Sequence, residues 1–65
     1  MNNKKRLIRK HEVMHLTGIE ASSTLYYLIN KRAFPSPVKL SERSVAWREE
    51  EVLAWIDSRK QAILK

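Results

Sequence analysis

The run from Ser22 to Arg32, S-S-T-L-Y-Y-L-I-N-K-R, restricts the fold more than any other stretch of the chain. At a helical period of about 100° per residue, Leu25, Leu28 and Ile29 share one face. Ser23, Tyr27 and Asn30 lie opposite, flanked by Thr24, Tyr26 and Lys31. The apolar stripe is what any surface helix needs. The other face is unusual, because it carries no acid and offers hydroxyls, an amide and cations. These are the groups that hydrogen-bond to base edges and phosphates in a major groove. The pattern predicts the recognition helix of a small DNA-binding domain, opened by Ser22 or Ser23 as a cap. It stops near Arg32, since Pro35 and Pro37 bias the residues before them towards extended backbone.

Upstream, Met1 to Lys5 is polar and basic with nothing to bury, and reads as a flexible arm, either solvated or touching phosphate. Leu7 and Ile8 form a short apolar step suited to an edge strand. From Lys10, Val13, Met14 and Leu16 pattern as a two-turn helix closed at Thr17-Gly18, where glycine can turn left-handed, and Ile19 follows as a buried plug. Two helices joined by a short turn containing glycine are the helix-turn-helix pattern. Downstream, Val38 to Leu40 and Val45 to Trp47 alternate apolar and polar residues around a four-residue polar turn, Ser41 to Ser44. This predicts a β-hairpin whose tip, Arg43, reaches out as a wing. Glu49, Glu50 and Glu51 then open a last helix, where acids suit the N-terminal dipole; Val52, Trp55, Ile56 and Ile63 line its inner face.

With 65 residues there is room for one small domain, residues 6–65, following the arm at 1–5. The absence of cysteine excludes a disulfide framework and a thiol nucleophile, and a reducing cytoplasm is the simplest setting. No apolar run approaches the roughly 20 residues that span a bilayer. Charge is unevenly placed. Residues 1–48 hold ten Lys/Arg against three acids, a net +7, whereas residues 49–65 net −1. The basic part coincides with the predicted recognition helix, which favours a polyanionic partner.

One motif points elsewhere. His11-Glu12-Val13-Met14-His15 matches the H-E-x-x-H pattern, in which His11 and His15 would hold zinc and Glu12 would activate a bound water. Such a site also needs a third ligand and a walled cleft, which a chain of this length can hardly supply. Two partly exposed histidines are the simpler reading, and neither metal nor cofactor is expected. A Ser22, His15, Asp57 triad has no support from spacing, so no enzymatic constellation remains. Among the aromatics, Trp47, Trp55 and Phe34 pattern as core, Tyr27 as DNA-facing and Tyr26 as intermediate.

Taken in order, Arg6 to Arg9, Glu12-Val13, Leu16 to Ile19, Ser23 to Tyr26, Leu28-Ile29, Phe34-Pro35, Pro37 to Leu40, Arg43, Trp47-Arg48, Glu51-Val52 and Ala54 to Ile56 resemble the AlpA family of prophage regulators. The resemblance covers residues 6–59. It implies an α+β winged helix-turn-helix fold of the kind shared with MerR-type domains and excisionases, with three helices and a two-stranded hairpin wing. It also implies double-stranded DNA binding, with Ser23, Thr24 and Tyr27 on the recognition helix and Arg43 on the wing. Tyr27 stands where relatives often carry Arg or Lys, Ser41-Glu42 where glycines are common and Ala46 where Arg is common. Base preference therefore does not transfer.

The combined expectation is a DNA-binding protein of a mobile genetic element, acting on transcription or as a recombination directionality factor. Ser22, Ser23, Tyr27 and Asn30 approach the bases, Thr24 and Tyr26 belong to the same DNA-binding surface, and Lys31, Arg32, Lys39, Arg43, Arg6 and the N-terminal cations neutralise phosphates. Partners implied are duplex DNA, an integrase and further copies of the chain bound cooperatively. The rival from another class is an adaptor that docks on an acidic protein without reading DNA.

Overall fold

The computed structural model describes residues 6–59, so the arm at 1–5 and Ile63 lie outside the described residues. The order of elements is β1 (Leu7–Ile8), α1 (Lys10–Thr17), α2 (Ser22–Asn30), β2 (Val38–Ser41), β3 (Ser44–Arg48) and α3 (Glu49–Asp57). This is the α+β winged helix-turn-helix arrangement, with one refinement of the sheet. Leu7 pairs with Arg48 and Ile8 with Trp47, so β1 joins the hairpin and gives a three-stranded antiparallel sheet in the order β1-β3-β2.

Six residues pack into one core: Ile8, Val13, Leu25, Phe34, Trp47 and Val52. Each comes from a different segment, so each element except β2 contributes one anchor. Full burial of such side chains stabilises by about 1.5–3 kcal/mol apiece. Leu28, Ile29, Trp55 and Ile56 pack against this cluster from its edge, as the helical periods predict, and Ile19 is half-buried rather than fully enclosed.

The helix ends have identifiable chemistry. α1 closes on Gly18, whose φ of 80° lies in the left-handed region and whose N–H donates to the Met14 carbonyl at 2.9 Å. The Thr17 hydroxyl donates to Val13 O at 2.9 Å and accepts the Ile19 N–H at 3.3 Å, sealing the same end. α2 differs from expectation at its start. Ala21 occupies the N-cap position and no side chain caps the helix, because Ser22 already lies within the first turn.

At its other end α2 closes on Arg32, with φ 61°. The Arg32 N–H donates to Ile29 O at 3.0 Å and the Ala33 N–H to Leu28 O at 2.8 Å. That pair of bonds is the Schellman motif, in which glycine is the usual left-handed residue. An arginine there bears the steric cost of its Cβ.

The hairpin is tighter than its sequence suggests. Ser41 and Ser44 pair with each other, leaving a two-residue turn of Glu42 and Arg43 in place of a four-residue one. The extra residue is absorbed by a register shift between Lys39 and Ser41, which frees Leu40 from the alternation and leaves it 49% exposed.

Replacing Arg32 with glycine removes the left-handed strain. Arg32→Gly is expected to stabilise the fold by about 0.5–1 kcal/mol, a rise in Tm of roughly 2–8 °C. A thermal melt showing an unchanged or lower Tm would mean that the arginine side chain contributes more than its backbone strain costs.

Candidate nucleic-acid interface

The link between α2 and the hairpin positions the candidate surface. Phe34 is buried and meets the Trp55 ring edge-on, centroids 4.7 Å apart. On either side of it, Trp55 Nε1 donates to Ala33 O at 2.6 Å and Trp47 Nε1 to Pro35 O at 3.0 Å. The two indoles, one on β3 and one on α3, thus hold the chain where it leaves α2 and heads for the wing.

Along α2, Ser23, Thr24, Tyr26, Tyr27 and Asn30 are all exposed, and Ser22 is half-buried. Tyr27 is the most open, at 59%, with the Lys31 ammonium 5.7 Å from its ring centroid. Tyr26, 40% exposed, carries the Lys10 ammonium 5.8 Å from its own ring. Lys31, Arg32, Lys39 and Arg43 are exposed as well. No acid occurs within α2.

An open cleft of about 350 Å³ brings part of this set together. Tyr26 from α2 and Arg43 from the wing turn line it with Arg9, Lys10 and His11 from the start of α1 and Val45 from β3. The sequence pattern gives no DNA contact for Arg9, Lys10, His11 or Val45, and His11 fits only the H-E-x-x-H motif there. The available signal was the Arg9-Lys10 pair placed at a helix start, where cations are not expected for stability. Lys31, Arg32 and Lys39 do not line the cleft.

Arg6 has other partners than phosphate. Its guanidinium donates to Glu49 Oε2 at 2.7 Å and to both Glu12 carboxylate oxygens at 3.2 Å, while its carbonyl accepts the Glu49 N–H at 2.9 Å. One residue therefore ties the entry to β1 to both α1 and α3. The same contacts bear on the H-E-x-x-H motif, because Glu12 is engaged as an ion-pair partner. Among the described residues, no group of three or more His, Cys, Asp or Glu is arranged to hold a metal ion.

A family model described as prophage CP4-57 regulatory protein (AlpA) matches residues 6–60, which spans the whole of this arrangement. The chain belongs to the AlpA family of prophage regulatory proteins. This AlpA-family chain is also similar to the uncharacterized protein ORF88 of Enterobacteria phage P4, at 48% identity over 54 residues. The aligned part is 83% of this chain and 60% of that protein, so the chain spans less than two thirds of its relative's length. No solved structure matches the chain. Among the described residues, no helix is long and apolar enough to cross a membrane.

Because Arg6 is half-exposed, its ion pairs stabilise only modestly. Arg6→Ala is expected to lower Tm by a few degrees and to leave the slope of log Kd against log salt for duplex binding unchanged. A slope reduced by about one would place Arg6 on a phosphate instead.

Proposed function

We propose that this chain is a sequence-specific duplex-DNA-binding regulator of a mobile genetic element, with no catalytic role. It acts on transcription, as a recombination directionality factor of the excisionase type, or as both. The observation that carries this reading is the exposed, acid-free face of α2 standing beside Arg43 of the wing turn, within a chain of a prophage regulatory family. An α-helix fits the width of the major groove, and a wing can follow the neighbouring backbone.

In this reading Ser23, Thr24, Tyr27 and Asn30 meet base edges, and Ser22 contributes from the first turn of α2. Lys31, Arg32, Lys39 and Arg43 neutralise phosphates. Each released counterion makes binding weaker at higher salt. The working compartment is the bacterial cytoplasm, where the DNA is. A small reading surface gives modest single-site affinity, so further copies bind adjacent repeats cooperatively, and an integrase is the protein partner in the excision role.

Selection of bound genomic fragments from the native host, against excess random duplex at near-physiological salt, tests the reading. Recovery of a discrete site supports specific binding, and its location beside an attachment sequence or a promoter separates the two roles. Recovery of nothing above background would overturn specific recognition.

Two substitutions separate the contacts. Asn30→Ala is expected to cost about 1–3 kcal/mol on the selected site and little on random duplex, since a base-edge contact is lost. Arg43→Ala is expected to weaken both similarly and to reduce the salt slope by about one. Equal loss of discrimination from both substitutions, measured by titration on the two duplexes, would contradict this division of labour.

A further inference from the structure

The start of α1 is built against its own electrostatic preference. A helix N-terminus carries about half a positive charge and is stabilised by acids. Here Arg9 is the N-cap, and Lys10 and His11 are the first two helical residues. Arg9 makes no side-chain cap, and Glu12, the acid of that turn, is drawn to Arg6. α3 follows the opposite rule and opens with Glu49, Glu50 and Glu51. Local rules broken without structural gain are expected at functional positions.

The same three residues form one wall of the cleft, facing Tyr26 and the wing-tip Arg43. Three fixed positive charges, an imidazole and a phenol converge there, together with the positive end of α1, and no lining residue is an acid. With its volume of about 350 Å³, the cleft has room for roughly ten waters, ample for a phosphate group. It is open to the surface, so a polymer backbone can pass through it rather than being enclosed. Its two ends belong to the elements expected to straddle a DNA strand.

We propose that this cleft seats one backbone phosphate of the bound duplex, gripped at once by the first turn of α1 and by the wing. The proposal rests on the duplex-binding reading and adds Arg9, Lys10 and His11 to its phosphate contacts. It also gives Tyr26 a backbone contact, its phenol donating to a phosphate oxygen. Two separate elements holding the same phosphate fix how far the wing stands from the reading helix along the strand, and so set the register in which α2 meets the bases.

A neutral methylphosphonate placed at one phosphate after another along the selected site provides the probe. Binding of the wild-type chain is expected to fall roughly tenfold at one internal position, the loss of a charge-assisted contact. Lys10→Gln and Arg43→Gln should each weaken binding to the unmodified duplex and lose most of the further penalty at that same position, while keeping wild-type sensitivity elsewhere. All the substituted side chains are exposed, so melting temperatures should stay close to wild type, with Lys10→Gln at or above it. Arg9→Gln offers a third variant with the same expected signature. If Lys10 and Arg43 lose sensitivity at different phosphates, or at none, the shared seat is overturned while duplex binding stands. If the wild-type chain prefers no duplex over random competitor, the underlying reading fails and the phosphate seat with it.

Discussion

The geometry depends on how the chain leaves α2. Pro35 and Pro37 have no N–H, so the link cannot extend the helix or join the sheet as an inner strand. It is held instead by its carbonyls, Ala33 O by the Trp55 indole and Pro35 O by the Trp47 indole, with Phe34 driven into the core between them. The bond to Pro35 O is part-buried and that to Ala33 O exposed, so each contributes no more than about 0.5–1.5 kcal/mol, whereas truncating the buried Phe34 costs about 3–5 kcal/mol. Against a total stability of about 5–15 kcal/mol these are large contributions. The clamp joins α2 to the central strand and to α3 together, so the exposed face of α2 and the wing are oriented by one set of contacts.

Charge is arranged around that frame in two ways. Glu12 and Glu49 converge on Arg6 and fasten β1, α1 and α3 at one point. The remaining acids of the first turn of α3 favour its own dipole. Positive charge is left at the start of α1, where it opposes the helix dipole, at the end of α2, where it favours it, and at Arg43 in the wing turn. Glu12 and Glu49 are thus engaged with Arg6, away from the cations of the cleft, while Glu42 stands beside Arg43 in the wing turn. The left-handed Arg32 is a position where glycine would be less strained and arginine brings charge.

Much of this was legible in the sequence because it is local. The apolar period of α2, the glycine that ends α1, the proline-bounded link and the acidic start of α3 each depend on residues within a turn or two of one another. What escaped depends on distant partners. Leu7 and Ile8 read as an edge strand from the sequence, but their partners are not legible there: Leu7 pairs with Arg48 and Ile8 with Trp47. The shift at Leu40 follows from fitting β2 to β3, and it makes a shorter turn than the polar run suggests. Ser22 reads as a cap because serine favours that role, yet the helix begins one residue earlier, at an alanine cap. Arg6 looks like a free cation until Glu12 and Glu49 are brought beside it, and the cleft joins the start of α1 to Tyr26 and to the hairpin residues Arg43 and Val45, which lie far from it in sequence.

The central claim is that one face, made by α2, the wing turn and the start of α1, meets the duplex. Amide shifts of the ¹⁵N-labelled chain during titration with its selected site test this most directly. The account predicts shifts concentrated at Ser23 to Asn30, at Glu42 and Arg43 and at Lys10 and His11, with Glu50, Leu53 and Asp57 on α3 unmoved. Shifts concentrated on α3, with α2 unchanged, would contradict it.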